Sequence, residues 1–336
     1  TRHGVRRQRQ MCIRDRSISG SMDFDPAQEM RANFAGMFNP PKTWRVFWIT
    51  RNSWMWNIAV AESLTTKNVM ELKRLYLDGT KHSCYQNVPQ FMSQHMDLSE
   101  KLQPLWRDDV PRLELVRQYF DFCHKGSVVD VGANTGYFSL SLAFDHPNLE
   151  VTSIEGHKGH ADFIGEAAEL AGLGNMRVVN QYVDQHTDPE LLNSEVVLHF
   201  NVLHHLGVDN QDSIDSMDQF FRVAVQSLSR AHHKGNWLVL QMGFNWGGDK
   251  KQPIVALDDD LGKLRYLERL VEAARFEIRD LALPELRSAG DRYRYTVYPF
   301  EKIRHDKDYK SLLDHHSVGE LSEFFRRPII FCRAKE

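Results

Sequence analysis

The stretch Val128-Val129-Asp130-Val131-Gly132-Ala133-Asn134-Thr135-Gly136-Tyr137-Phe138-Ser139-Leu140 constrains the fold of this chain more than any other. Its β-branched residues favour a pleated strand, and the run carries one acid near its end. It then breaks at two glycines and resumes with Tyr137, Phe138, Leu140, Leu142 and Ala143 at helical spacing. Strand, tight turn and helix in that order open a nucleotide-binding βαβ unit. Gly132 has the conformational freedom to let the main chain approach a ligand closely. The fold class expected is α/β with a doubly wound, mostly parallel sheet.

Val151-Thr152-Ser153-Ile154 reads as the second strand and finishes at Glu155. An acid at that strand tip, about 20 residues beyond the glycine turn, is placed to accept hydrogen bonds from ribose hydroxyls. A helix over 158–171 continues the alternation, and the stretch 169–180 leads through a third strand. A pyrophosphate fingerprint starting at Gly132 would need glycine at Asn134 and Tyr137. Tyr137 would obstruct the close packing of helix under pyrophosphate, which disfavours a nicotinamide oxidoreductase.

The pattern Asp130-x-Gly132-x-Asn134-x-Gly136 resembles motif I of class I S-adenosylmethionine (SAM)-dependent methyltransferases. Val-Asp-Val-Gly-Ala-Asn-x-Gly-Tyr is especially similar to the FkbM-type enzymes. The resemblance implies a Rossmann-like methyltransferase sheet whose last strand is antiparallel, with SAM as cofactor. It places Asp130, Gly132, Ala133, Asn134 and Gly136 at the methionine end, Glu155 at the ribose, Gln181, Tyr182 and Val183 at the adenine, and Gly156 and Asn201 elsewhere along the cofactor.

Val196-Val197-Leu198-His199-Phe200 is an apolar fourth strand, followed by Asn201-Val202-Leu203-His204-His205-Leu206. The Val-Leu-His-His-Leu string is similar to motif IV of many class I methyltransferases and departs from the FkbM pattern. An imidazole there can accept a hydroxyl proton at neutral pH, so His204 and His205 are the catalytic candidates. The alternative is that both line or brace the cofactor site. His199, His204 and His205 lack a carboxylate at a recognised metal-ligand spacing, so no metal is assigned.

Helices over 211–231 and 257–275 flank a fifth strand over 237–242, and a sixth runs over 276–281. Gly243-Phe244-Asn245-Trp246-Gly247-Gly248-Asp249-Lys250-Lys251 reads as a flexible lid or substrate loop, the alternative being an ordinary surface connection. The alternating tyrosines of 292–298 read as a further strand or a substrate wall, and 328–333 as a closing edge strand.

Upstream, three divisions follow. Residues 1–21 are basic and aperiodic and resemble translated sequencing-adapter read-through, so they are set aside as a non-native or disordered leader. Residues 22–110, with tryptophans concentrated over 42–56 and an amphipathic helix over 66–77, read as a mainly helical cap. Residues 111–336 form the methyltransferase domain, entered through a helix over 113–122. The net charge of -3 provides no general attraction for nucleic acid. Four scattered cysteines match neither a disulfide framework nor a zinc site, so a reducing cytoplasm is expected. No apolar run approaches the roughly 20 residues of a membrane span.

The function these readings imply is methyl transfer to a small molecule or glycan, at oxygen. One rival is a tRNA-modifying transferase, because Trp106-Arg107-Asp108 and the C-terminal layout look like the tRNA wobble-uridine carboxymethyltransferases. That likeness implies SAM or a carboxylated SAM as donor and Arg45, Arg51, Lys250 and Lys251 as a basic surface. The other rival is a SAM-binding module without turnover.

Overall fold

The computed structural model describes residues 66–77, 86–96, 109–122, 124, 126–208, 214–285 and 293–336. The leader, the tryptophan-rich stretch 42–56 with Arg45 and Arg51, and the tract 106–108 lie outside the described residues. Described elements of the upstream segment are helices α1 (Thr66–Tyr76) and α2 (Gln90–Met96), followed by α3 (Asp109–Tyr119). The alternating part then runs β1 (Gly126–Val131), α4 (Tyr137–Asp145), β2 (Leu149–Glu155), α5 (Lys158–Leu170), β3 (Met176–Asn180) and β4 (Val196–Phe200). It continues through α6 (Met217–Arg230), β5 (Trp237–Gln241), α7 (Asp260–Ala273), β6 (Phe276–Glu285) and β7 (Arg294–Pro299). The short α8 (Phe300–Ile303), α9 (Asp306–His315) and β8 (Ile329–Ala334) complete it.

One eight-stranded sheet has the order β3-β2-β1-β4-β5-β8-β6-β7. Strands β1 to β5 pair in parallel, as the alternation of strand and helix requires. The last strand is antiparallel, as expected, but it is not an edge. β8 lies between β5 and β6, and β7 pairs antiparallel with β6 to form the edge. The composition of β8 explains the correction: Ile329, Ile330, Phe331 and Cys332 are all fully buried. A strand apolar on both faces belongs inside a sheet.

The two faces are covered separately. Val128, Val151, Leu198, Val239 and Phe331 turn towards α1, α3, α4 and α5, whereas Val129, Val131, Val197, Leu238, Leu240 and Ile330 turn towards α6, α7 and α9. Alternation at a period of two along each strand produces this division. α1 packs along α5, placing Leu72, Leu75 and Tyr76 in the core shared with β1. Tyr119 of α3 stacks on Phe331 with ring centroids 3.8 Å apart.

Helix boundaries follow their caps. α6 begins at Met217, later than its apolar period implies, because Ser216 Oγ accepts the Gln219 amide. α7 begins at Asp260 because the Asp259 carboxylate accepts the Gly262 amide at 2.7 Å. Among the described residues no helix is long and apolar enough to cross a membrane.

Candidate functional site

The carboxyl ends of β1, β2 and β4 meet where the strand order reverses, and the turn after β1 is bent there by three left-handed residues. Gly132, Asn134 and Gly136 have φ of +63°, +54° and +74°. A Cβ on Gly132 would lie 2.3 Å from Val202 Cγ2, so only glycine lets the turn after β4 pack on this loop. The amides of Gly132 and Ala133 both donate to the Ile154 carbonyl, at 2.8 and 3.1 Å, which ties the loop to the end of β2. Gly136 precedes the first residue of α4 and packs on Ile164 of α5.

Glu155 joins the loop to the second strand. Its Oε2 accepts the Asn134 amide at 2.7 Å and its Oε1 the His157 amide at 2.8 Å. A carboxylate oxygen has more than one lone pair, so an acid that braces the loop can also accept from a ligand's hydroxyl. The Gln181 amide and the Asn180 side chain both donate to the Glu155 carbonyl, at 3.0 and 2.8 Å. Tyr182 lies over Gly156, where an added Cβ would come within 2.3 Å of its ring. The ring is 45% exposed, leaving an aromatic face beside the acid. Gly156, Gln181 and Tyr182 are therefore brought together with Glu155, as the sequence placed them.

Asp130 lies beneath the loop and is only 2% exposed. Burial pushes its carboxyl up to about 7, while hydrogen bonds from Ser139 act in the other direction. Its Oδ2 is buried without a hydrogen-bond partner among the described residues. This orphaned acceptor beneath the loop and the carboxylate of Glu155 at the end of β2 fit a cationic ligand that carries a ribose.

The segment after β4 is fixed by polar contacts. Asn201 has φ of +58°, its Nδ2 donates to Gln241 Oε1 at 2.9 Å, and its Oδ1 accepts from Arg327 Nη1 at 2.7 Å. The side-chain amide of Asn201 thus braces the turn. His204 is buried, and its Nδ1 accepts the Gly243 amide at 3.2 Å. Its ring covers Gly243 so closely that a Cβ there would lie 2.7 Å from Nε2. With Nδ1 acting as acceptor, a neutral His204 carries its proton on Nε2. His205 follows it in the same turn, with ring centroids 4.3 Å apart. His199, farther back in β4, is buried, and desolvation pushes its imidazole down to about 4.

The stretch read as a flexible lid or substrate loop is tied to its surroundings. Phe244 is fully buried, Trp246 Nε1 donates to the Leu206 carbonyl at 2.8 Å, and the amides of Trp246 and Ile254 bond Gln252 and Phe244 across it. Its aromatic residues anchor the loop to the turn after β4. Four contributors were not read from the sequence: Gln86, Arg112, Gln241 and Arg327. Only Gln241 gave a signal, as a polar residue closing the apolar run of β5. Among the described residues no group of three or more His, Cys, Asp or Glu is placed to hold a metal ion.

No family model matches the chain. Over 57 residues the chain is 40% identical to ribosomal RNA small subunit methyltransferase G of Stenotrophomonas maltophilia (strains K279a and R551-3), covering 17% of this chain. The match spans about a quarter (27%) of the length of those relatives. Among solved structures, the chain is similar to the [4+2]-cyclase SpnF at 17% identity, covering 69% of this chain and 83% of that one, with a TM-score of 0.41. A 1,6-didemethyltoxoflavin-N1-methyltransferase of Burkholderia thailandensis, solved with S-adenosylhomocysteine, is 16% identical over 69% of this chain and 81% of its own, with a TM-score of 0.39. TYW2 of M. jannaschii, solved with AdoMet, is 12% identical over 67% and 76%, with a TM-score of 0.38.

Proposed function

We propose that the chain is a SAM-dependent methyltransferase whose donor site is the cradle at the ends of β1 and β2. The observation that carries this reading is the hydrogen bond from the Asn134 amide to Glu155 Oε2. It makes the glycine loop and the ribose acid one rigid unit, as motif I and the second-strand acid require. Bound SAM supplies a methyl group on a sulfonium, which needs little covalent help. The chain's own part is to hold and orient: loop backbone and Asp130 at the methionine end, Glu155 at the ribose, Gly156, Gln181 and Tyr182 at the base, and the Asn201 turn as the wall.

The acceptor in this reading is a hydroxyl on a small molecule or glycan, met in a reducing cytoplasm. Because His204 Nδ1 already accepts a backbone amide, His205 is the histidine assigned to take the hydroxyl proton. A second reading, methyl transfer to RNA, draws on the short identity to the rRNA methyltransferases and on Lys250 and Lys251, exposed beside the donor-side loops. In either case the described Glu155 and loop serve the donor half alone.

Calorimetry tests the donor. S-adenosylhomocysteine should bind, and Glu155→Ala should weaken it at least tenfold, the scale of losing a hydrogen bond to a charged acceptor, about 1.5–3 kcal/mol. Binding of NADH in its place would overturn the assignment. Labelled SAM offered to fractionated small molecules, glycans and RNA then separates the two acceptors.

A further inference from the structure

The upstream segment and the glycine loop share hydrogen bonds that strand-end geometry alone does not call for. Tyr76 Oη donates to the Gln86 carbonyl at 2.5 Å, fixing the backbone from which the Gln86 side chain turns. Gln86 Oε1 accepts the Tyr137 amide at 3.2 Å. Tyr137 is the first residue of α4, directly after Gly136, and its amide is among the four that a helix N-terminus leaves without an intrahelical acceptor. Asn87 gives both its amide (2.8 Å) and its side-chain nitrogen (3.2 Å) to Asp109 Oδ2. Asp109 Oδ1 pairs with Arg112 in a setting where both side chains are almost fully buried. Arg112 Nη1 reaches Gln241 Oε1 at 3.3 Å, the oxygen that also accepts from Asn201 Nδ2.

An unbroken polar chain thus runs from Gln86 and Asn87, through a buried ion pair, to the turn that packs on Gly132. Removing one partner of a buried ion pair leaves an uncompensated charge, so displacing Asp109 or Arg112 disturbs the groups bonded to the other. Arg112 also lies over the rings of Phe138 and Phe200, which fixes it between α4 and β4.

We propose that Gln86, Asp109 and Arg112 are positioning residues that make the segment 86–92 one wall of the donor site, so that filling that site and seating this segment are a single linked equilibrium. The inference rests on the donor-site reading above. Linkage is reciprocal: a ligand that favours the seated segment is bound more tightly by the same factor when the segment is seated.

Hydrogen–deuterium exchange on the full chain, with and without S-adenosylhomocysteine, tests it. Ligand should slow exchange over 132–137 and over 86–92 together. Arg112→Met should keep the slowing over 132–137 at saturating ligand, lose it over 86–92, and weaken affinity about tenfold, as loss of a charge-assisted hydrogen bond does. Gln86→Ala lies outside the buried pair and should uncouple the two segments in the same way with about threefold weaker binding, since a neutral hydrogen bond contributes less. Slowing confined to 132–137 in the unaltered protein overturns the proposal while leaving the donor site standing. A lower melting temperature in both variants with undiminished slowing over 86–92 also overturns it, since the residues would then serve stability alone. No slowing in either segment removes the donor-site reading and this proposal with it.

Discussion

Replacing Gly132 by alanine separates two contributions that the structure superimposes at one residue. The backbone there has φ of +63°, a region that disfavours an L-residue by about 1–2 kcal/mol. The new Cβ would also lie 2.3 Å from Val202 Cγ2 and 3.0 Å from Cγ1, and overpacking of that kind costs about 1–3 kcal/mol. Gly132→Ala should therefore destabilise the fold by about 2–5 kcal/mol, measured by urea titration, and displace the loop enough to abolish binding of S-adenosylhomocysteine. Val202→Ala removes the overlap but not the backbone strain. On its own it should cost about 1 kcal/mol for a partly buried branched side chain. In the double variant the overlap is gone, so the two losses should fall short of additivity by about 1–3 kcal/mol, leaving the backbone contribution behind. Additivity within about 0.5 kcal/mol would mean that the turn after β4 does not rest on the glycine loop, and the site as described would be wrong.

Acidification should act on two buried groups in opposite directions. His199 is pushed down to about 4 in the fold, so the unfolded chain binds the extra proton and stability falls by about 2 kcal/mol between pH 7 and pH 5. Asp130 is pushed up to about 7, so its contribution is full below the ordinary carboxylate range and lost as pH rises through 7; it gains about 2 kcal/mol over the same acidification. Desolvation pushes His146 down to about 4 as well, so the ligand-free protein should lose about 2 kcal/mol between pH 7 and pH 5, His199→Leu should show a nearly flat urea midpoint, and Asp130→Asn should fall more steeply. Parallel midpoint shifts in all three proteins would refute the assignment of either group. At the turn after β4, His205→Gln should lower turnover about 100-fold, the scale of a lost general base, with affinity for S-adenosylhomocysteine unchanged. His204→Ala should instead lower stability by about 2 kcal/mol, through the lost amide contact and packing on Gly243. Full turnover in both variants would remove the histidines from proton transfer.

The turn after β1 was legible because its determinants are local. Asp130, Gly132, Asn134 and Gly136 occupy one turn, and Glu155 ends the next strand, so period, turn chemistry and spacing all point to the same place. β8 was misplaced at an edge although its four consecutive buried residues signal an interior strand; chain order suggested closure, and the apolar run was the better guide. The paired glycines of the loop from Gly243 to Lys251 suggest freedom, whereas the bond from Trp246 Nε1 to the Leu206 carbonyl is a tertiary contact that leaves no local trace.

The turn after β4 is assembled differently. Arg112, Asn201, Gln241 and Arg327 come from four elements, and each finds its partner more than 30 residues away. A charged residue on a helix reads from sequence as solvated, and nothing within α3 shows that Arg112 faces inward rather than outward. Its burial becomes sensible only when Asp109, three residues earlier, and Gln241, on another element, are placed around it. Breaking such a buried pair leaves an uncompensated charge, so each partner holds the other in place. The geometry held is that of Asn201, and through Val202 that of Gly132. The residues easiest to read thus owe their arrangement to those that sequence periodicity conceals.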